Sequence, residues 1–356
     1  MKVFGLLLLG LAVAQLAPAR ADAPAGVKVV SPGLINALKG LDAYKRADYA
    51  TALREFSAGI EVGNTTAMSG LALMYEHGFG VAHDDQQAAS LFRKAAEAGS
   101  IDGESNLGTL YLMGQGVPQD DAQALDWFRK AAAQGDAGAE ANLGFMYQNG
   151  RGVAADERQA FDWYTMAAKS GLPSAETSLG LIYLHGTTIP HDEAEGVKWL
   201  RQAATQGFAE AQYDLGSYFF SGAAGAMSQA EALSWLDKAA EQGHAGAQTD
   251  LGILYISGQG VPADPGKAIP LLRKAAATGF PEALTNLAKA YLLGAGVTQD
   301  PLVAYALISI AASRGSDEAK AHRDEIGRQL SPDQLRRASA LAKDWQPGQK
   351  LPGSDL

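Results

Sequence analysis

One spacing recurs through most of the chain and restricts the folds open to it. A glycine stands at every 36th residue, without insertion or deletion, through seven successive copies: Gly78, Gly114, Gly150, Gly186, Gly222, Gly258 and Gly294. Tyrosine or phenylalanine stands three residues before each of these glycines, and leucine stands seven residues before. Because one central core cannot offer seven equivalent environments, the period predicts a solenoid in which each unit buries its apolar face only against its neighbours.

The first half of each unit predicts a helix, here named helix A. In the reference unit, residues 100–135, Leu107, Gly108 and Tyr111 form a stripe at helical spacing. Gly114 follows this stripe and supplies the left-handed conformation that ends many helices. The small Gly108 leaves room for another helix to approach closely.

The second half of each unit predicts another helix, here named helix B. Asp120 stands at its N-cap, where a carboxylate accepts hydrogen bonds from free backbone N–H groups. Trp127, Phe128 and the paired alanines at 131 and 132 then recur at helical spacing until Gly135 ends the helix. The expected fold is therefore all-α and is built from antiparallel helix pairs.

The beginning of the chain predicts a signal peptide over residues 1–21. Lys2 precedes a short apolar run, and Ala19, Arg20 and Ala21 fit a small-x-small cleavage pattern with the cut after Ala21. This apolar run is shorter than the ~20 residues that a membrane-spanning helix needs. We therefore expect a periplasmic or secreted protein whose mature chain has no integral membrane segment.

Composition excludes several classes of function. The chain has no cysteine, which excludes disulfides and thiol chemistry. Removal of Lys2 and Arg20 with the signal peptide takes the formal net charge from −10 to −12, which disfavours nucleic acid as a partner. The Gly-x-Gly-Val stretches follow predicted helices, whereas a dinucleotide-binding glycine motif follows a strand. No cofactor is expected.

The period also divides the chain. Residues 22–31 are expected to be a flexible N-terminal segment, and residues 32–63 an N-terminal capping half repeat. Residues 64–315 hold the seven repeats. Residues 316–345 are expected to form C-terminal capping helices, the second of which is capped by Ser331 and ends near Trp345. The composition of the tail, residues 346–356, suggests disorder.

The repeated pattern resembles a known family. Leu-Gly-x-x-Tyr, Gly-x-Gly-Val, a capping Asp and Ala-x-x-Trp-Phe-x-x-Ala-Ala-x-x-Gly are similar to the Sel-one-like repeat (SLR) family of the tetratricopeptide-repeat superfamily, here as a secreted or periplasmic bacterial member. Two units depart from the loop pattern, with Gly-Thr-Thr-Ile from Gly186 and Gly-Ala-Ala-Gly from Gly222. The resemblance implies a right-handed superhelical α-solenoid of antiparallel helix pairs that serves as an adaptor.

A ligand-binding face is predicted on helix A. If Ile101 is position 1, positions 2, 5, 9, 12 and 13 gather on the side opposite the recurrent apolar stripe and vary between units. By resemblance to the tetratricopeptide fold, this side lines a concave groove. The predicted partner-binding residues are Ser105, Thr109, Phe145, Gln148, Thr177, Leu181, Tyr213, Ser217, Phe220, Thr249 and Ile253. The alternative is that these side chains pack against helix A of adjacent units.

The expected function is that of a non-catalytic scaffold or adaptor of the bacterial envelope that binds a partner protein or peptide in this groove. The candidate partners are the periplasmic domain of a membrane sensor and a component of an envelope-assembly complex. One alternative is a cell-wall-directed hydrolase or penicillin-binding-type activity. Another is a scaffold for exopolysaccharide assembly.

Other recurrent side chains are better explained by packing or solvation. The tryptophans at 127, 163, 199 and 235 resemble a sugar-binding ladder, but their place in the helix B stripe favours the core. Loops with His77 and His83, and with His185 and His191, lack the spacing of a standard metal site, so solvated loops are expected. Basic pairs such as Arg93-Lys94 and Arg129-Lys130 lie in last helical turns and complement the helix dipole. No catalytic or metal-binding residue is predicted.

Overall fold

The computed structural model describes residues 31–220, 229–343 and 345–353, which contain eighteen α-helices and no strand. The chain divides into two compact units, Met1–Gly196 and Val197–Leu356. The helices of the first unit are α1 (Pro32–Lys45), α2 (Tyr49–Glu61), α3 (Thr65–His77), α4 (Asp85–Glu97), α5 (Ile101–Met113), α6 (Asp121–Ala133), α7 (Ala137–Asn149), α8 (Glu157–Lys169) and α9 (Pro173–His185). The predicted signal peptide and nearly all of the segment 22–31 lie outside the described residues.

The second unit continues the same arrangement. Helix α10 (Glu193–Thr205) begins before the boundary between the units. The helices that follow are α11 (Ala209–Phe220), α12 (Gln229–Glu241), α13 (Ala245–Ser257), α14 (Pro265–Ala277), α15 (Pro281–Leu293), α16 (Pro301–Ser313), α17 (Asp317–Gln329) and α18 (Pro332–Ala342). Within the described ranges, no helix is long and apolar enough to cross a membrane.

Helices pack in the order of the chain. In the first unit, α5 packs against α4 before it and α6 after it, and α7 is placed in the same way between α6 and α8. In the second unit, α13 and α15 each pack between their own two neighbours in sequence. The prediction of an all-α solenoid of helix pairs is confirmed, because within each unit these repeat helices meet mainly the helices next to them in the chain.

Local signals place the helix ends. Asp120 Oδ1 accepts hydrogen bonds from the backbone N–H groups of Ala122 and Gln123, both at 3.0 Å, as an N-cap does. Gly114 ends α5 with φ 71°, in the left-handed region. Gly186, whose loop sequence departs from the pattern, instead has φ −61° and an extended conformation. The Gly186 loop therefore has the different shape that its sequence suggests.

Glycine and alanine allow neighbouring helices to touch. A Cβ atom on Gly144 of α7 would lie 2.7 Å from the ring of Tyr164 on α8. Between repeats, a Cβ on Gly103 of α5 would lie 2.7 Å from Cβ of Ala95 in α4. Such separations are shorter than van der Waals contact, so the small residues set the distance between the helices.

The N-terminal segment contains a complete helix pair, and the prediction of a half repeat is wrong. Helix α1 packs against both α2 and α3, as the first helix of a pair does. Its buried residues are all small: Gly33, Ala37, Gly40 and Ala43. A Cβ on Gly40 would lie 2.5 Å from the ring of Phe56. The pair is not recognisable from the sequence because this glycine and alanine stripe replaces the usual leucine and tyrosine.

The C-terminal segment closes the last repeat. Helices α17 and α18 both pack against α16. Residues 345–353, here named the C-terminal strap, follow with Trp345 8% exposed and Leu351 9% exposed. The N–H of Gly348 donates to the carbonyl of Ala277 at 2.9 Å. The disorder suggested by composition is therefore wrong for residues 346–353, and residues 354–356 lie outside the described residues.

Position 4 of helix A carries a column of buried polar side chains. Glu104, Glu140, Glu176, Gln212 and Gln248 are each at most 5% exposed. The amide nitrogens of Gln212 and Gln248 donate to Ala204 O (3.1 Å) and Ala240 O (3.0 Å) at the end of the preceding helix B. A carboxylate cannot make this donation, and Glu140 Oε2 is buried without a partner. Desolvation is the main cause that raises the pKa of Glu140 above its ordinary value.

Glu140→Gln should raise the free energy of unfolding by about 1 kcal/mol at pH 7, because the new amide can donate to Ala132 O as its equivalents do. The native carboxyl has a raised folded-state pKa, so its stabilising contribution is complete at acid pH and is lost as the pH rises. The gain from glutamine should therefore shrink below about pH 4. Urea denaturation of the wild type and the variant, at pH 7 and again below about pH 4, measures the difference in their free energies of unfolding.

Glu104→Gln is the matched control for this substitution. Its carboxylate already accepts a hydrogen bond of 2.7 Å from Gln134 Nε2, whereas Glu140 has Ser170 at the corresponding place. The control should give a smaller gain, because Glu104, unlike Glu140, has no buried oxygen without a partner among the described residues. An equal gain at both positions would contradict this explanation.

Candidate functional site

Position 5 of helix A connects neighbouring repeats. Ser105 Oγ donates to Asp136 Oδ1, the N-cap of α7, at 3.0 Å. Tyr213, at the same position of α11, stacks on His244, the N-cap of α13, with ring centroids 4.4 Å apart. At this position the structure therefore shows contacts between successive A helices, which is the packing alternative to a partner-binding role.

Two predicted groove residues are wrong as ligand contacts. Thr177 is 1% exposed and Thr249 is 0% exposed. Their hydroxyl groups donate to carbonyls of their own helices, at Pro173 (2.8 Å) and Ala245 (2.7 Å). Both side chains are therefore closed to solvent, and their polar atoms are satisfied inside the helix.

In the first unit, four of the predicted groove residues, at positions 9 and 12 of helix A, are partly exposed. Thr109, Phe145, Gln148 and Leu181 are all partly accessible. Thr109 Oγ1 donates to Ser105 O at 3.1 Å, and Phe145 also packs against a core cluster. Gln148 Oε1 accepts a hydrogen bond of 3.0 Å from the hydroxyl of buried Tyr164. This bond holds the amide of Gln148 in one orientation.

In the second unit, three of the predicted groove residues are partly exposed. Ser217, Phe220 and Ile253 are partly accessible, and both Phe220 and Tyr213 also pack against a core cluster. Residues 221–228, which follow Phe220 directly, lie outside the described residues. Each unit therefore presents a small accessible part of the predicted surface on its A helices.

An acidic cluster near Tyr213 escaped the sequence analysis. Burial, with the charge of Glu210 as a second cause, raises the pKa of Asp214 to about 8. Burial and nearby Glu282 raise the pKa of Asp250 to about 6, against a hydrogen bond from Tyr213 that lowers it. Glu210 itself lies 2.9 Å from His244 Nε2. A signal was present in the sequence, since this helix position is Asn in three other repeats and changes to Asp in these two.

The two histidines of the first histidine loop lie close to backbone carbonyls. His77 Nδ1 lies 3.0 Å from Leu73 O, and the His77 ring stacks on Phe79 at 5.3 Å between centroids. His83 Nδ1 lies 2.7 Å from Glu76 O. Within the described part of the chain, no group of three or more His, Asp or Glu side chains is placed to hold a metal ion.

The tryptophan column is only partly in the core. Trp235 is 9% exposed, whereas Trp127, Trp163 and Trp199 are half buried. The ammonium group of Lys130 lies 3.7 Å from the centre of the Trp127 ring. The rings of these three tryptophans are therefore partly packed and partly accessible. Of the four tryptophans predicted to lie in the core, Trp235 alone is fully buried there.

Arginines at the ends of B helices bind the next repeat. Arg93 donates to the hydroxyl of Tyr111 at 2.8 Å, and Arg129 donates to the hydroxyl of Tyr147 at 3.0 Å. Sequence analysis assigned these arginines only to the helix dipole. The 18-residue spacing between arginine and tyrosine, repeated in both units, was the available signal.

Tandem helix pairs with these small-residue contacts define a helical-repeat protein of the tetratricopeptide-like class. The Sel1 repeat matches residues 65–100, 101–136, 137–172, 173–208, 209–244, 245–280 and 281–316. The chain belongs to the Sel1 repeat family.

Two solved structures are similar over most of this chain. The protective antigen c5321 of uropathogenic Escherichia coli, which displays an SLR fold, is 30% identical with a TM-score of 0.73, over 87% of this chain and 68% of its own. A Sel1 repeat protein from Oxalobacter formigenes is 33% identical with a TM-score of 0.64, over 67% of this chain and 98% of its own. The comparison with curated protein sequences returns no match. Sel1 repeat proteins generally act as non-catalytic protein-interaction scaffolds.

Proposed function

We propose that this protein is a non-catalytic scaffold of the bacterial envelope that binds a partner protein through the A helices of its repeats. The partner is an extended segment or helix of an envelope-assembly component or of the periplasmic part of a membrane sensor. The apolar pattern of residues 1–21 supports export, because it has the charged start, apolar middle and small-residue end of a signal peptide.

The observation that carries the proposal is the half-exposed apolar set on α7 and α9. Phe145 and Leu181 occupy equivalent positions in successive repeats and both remain partly accessible. Gln148, with its amide orientation held by Tyr164, adds a fixed polar group beside them. Apolar side chains with a few fixed polar groups are typical of surfaces that bind protein segments.

A photo-crosslinking amino acid placed at 145 or 181 should form a discrete adduct with one partner protein in living cells. The same amino acid at Lys169, which is exposed at the end of α8, is the control and should give none. Phe145→Ser combined with Leu181→Ser should then reduce co-purification of the adduct partner at least tenfold, because two apolar contacts are lost.

Two controls keep the test interpretable. The melting curve of the double variant should stay close to that of the wild type, since both side chains are only half buried. N-terminal sequencing of the protein from the envelope fraction should begin at Asp22. A cytoplasmic protein with Met1 retained would end the envelope assignment, and adducts at all three positions alike would end the assignment to the A helices.

A further inference from the structure

The C-terminal strap shows how the B-helix side of the repeats holds an extended segment. Residues 345–353 contain no helix and pack into the core cluster of α14, α15 and α16. Trp345 and Leu351 are its buried apolar anchors. Gly348 donates a backbone hydrogen bond to Ala277 O, at the end of α14. The strap is thus bound as a peptide ligand is bound, by apolar anchors and backbone hydrogen bonds.

An arginine and a tyrosine receive the end of the strap. Arg273 donates to the hydroxyl of Tyr291 at 2.8 Å, and this hydroxyl donates to Gly353 O at 2.9 Å. Arg273 also reaches Gly353 O at 3.5 Å. Because the guanidinium occupies a lone pair of the tyrosine oxygen, the hydroxyl hydrogen is free for the strap carbonyl. The pair is therefore a donor site for a backbone carbonyl.

The same pair occurs twice in the first unit. Arg93 with Tyr111, and Arg129 with Tyr147, repeat the 18-residue spacing and the hydrogen bond from arginine to the hydroxyl. Tyr291 under the strap is 1% exposed, whereas Tyr111 and Tyr147 are half exposed. Over the ranges that the structure describes, no acceptor takes the hydroxyl hydrogen of either tyrosine. These two donor sites are accessible.

An apolar surface accompanies each of these pairs. Leu307 of α16, which is 0% exposed, has Trp127 of α6 and Trp163 of α8 as its equivalents in the first unit. Trp127 and Tyr111 pack half buried against one core cluster, and Trp163 packs half buried against the next. The first unit thus repeats the Arg–Tyr part of the strap site, and the next B helix after each pair carries a partly accessible tryptophan ring.

We propose that the surfaces around the Arg93–Tyr111 and Arg129–Tyr147 pairs, here named the furrows of the first unit, bind an extended segment of a partner protein that resembles the strap in chemistry. Such a segment presents a large apolar side chain to Trp127 or Trp163, and a backbone carbonyl to the Arg–Tyr pair. This surface combines residues of the B helices with the two tyrosines of the A helices, and it shares no residue with the half-exposed apolar set on α7 and α9. The strap of a second copy is not the occupant, because each strap is already held in its own chain by two buried anchors.

The test uses a synthetic peptide of residues 344–356 with an N-terminal fluorophore, titrated with the full chain and followed by fluorescence anisotropy. The strap already fills the site at α14 and α16, so saturable binding reports the furrows of the first unit. Tyr111→Phe combined with Tyr147→Phe should weaken binding about tenfold, since one charge-supported hydrogen bond is lost in each furrow. Tyr255→Phe is the matched control, because Asp237 replaces the arginine in that repeat, and it should leave binding unchanged.

Four results would overturn the proposal. The first is the absence of saturable binding, and the second is equal binding by the wild type and the double variant when their melting curves agree. The third is a loss of binding in Tyr291→Phe as large as in the double variant, because the peptide would then be replacing the strap. The fourth is a dimer in size-exclusion chromatography that the peptide dissociates, because a second copy of the chain would then be the occupant.

Discussion

Gly144→Ala should lower the free energy of unfolding of the first unit by about 2 kcal/mol. The added Cβ would lie 2.7 Å from the ring of Tyr164, which is 1% exposed. That ring cannot turn away, because core atoms surround it and its hydroxyl is bonded to Gln148. The helix propensity of alanine, worth about 1 kcal/mol over glycine, only partly offsets this overlap. Urea denaturation followed by circular dichroism measures the change.

Controls for this prediction come from the chain itself. Gly138→Ala on the same helix should be neutral or slightly stabilising, because its Cβ would meet only Asp136 Oδ1 at 3.3 Å. The last repeat has Ala288 and Ile308 at the positions of Gly144 and Tyr164. Gly144→Ala combined with Tyr164→Ile should therefore cost less than the sum of the single changes. Strict additivity would show that the two residues do not oppose each other.

Asp214→Asn should make the second unit more stable, by an amount that grows with pH. Asp214 Oδ2 is buried without a partner, and burial raises the pKa of this carboxyl to about 8. A raised folded-state pKa means that its stabilising contribution is complete below the unfolded value near pH 4 and is lost as the pH rises towards 8. The wild-type free energy of unfolding should fall by up to about 1.4 kcal/mol per pH unit across this window.

Asparagine also supplies a hydrogen bond that the carboxylate cannot make. Asn106 and Asn286, at the same helix position, donate to the carbonyl four residues earlier at 2.7 and 2.9 Å. Denaturation between pH 4 and 9 should show a flatter profile for the variant. The free energy of unfolding of the variant should still fall with pH, but less steeply and only up to about pH 6, because burial also raises the pKa of Asp250 to about 6. Parallel wild-type and variant profiles would contradict the assignment of this pH dependence to Asp214.

Much of the fold is predictable because its determinants are local. Asp120 and Gly114 act on backbone groups within a few residues, so their effect can be read without knowing the rest of the chain. The end segments behave differently. Gly40 in α1 acts through Phe56 of the next helix, and Trp345 acts through the core of α16 and the guanidinium of Arg314, 5.4 Å from its ring. Such contacts leave no periodic signal.

The candidate site is less predictable, because a helical wheel describes one helix at a time. It places Ser105 and Thr177 on the side away from the recurrent stripe, but it contains no information on the next repeat. In the structure Ser105 reaches the N-cap Asp136, 31 residues away, and Thr177 is covered completely. Phe145 and Leu181, at position 9, remain partly accessible. The exposure of a position on a repeat protein therefore depends on the reach of its side chain towards the neighbouring unit.

The covering of α16 has an evolutionary consequence. This helix buries apolar residues on several sides, under α17, α18 and the strap, whereas helix B of an earlier repeat such as α6 carries polar residues on its outer side. Duplication of any 36-residue stretch between residues 65 and 280 would add a helix pair in register. Duplication of α16 itself would leave one copy without its cover and expose an apolar surface to water. Genes for such chains are therefore expected to gain and lose repeats internally, while the last repeat and its covering segments are inherited together.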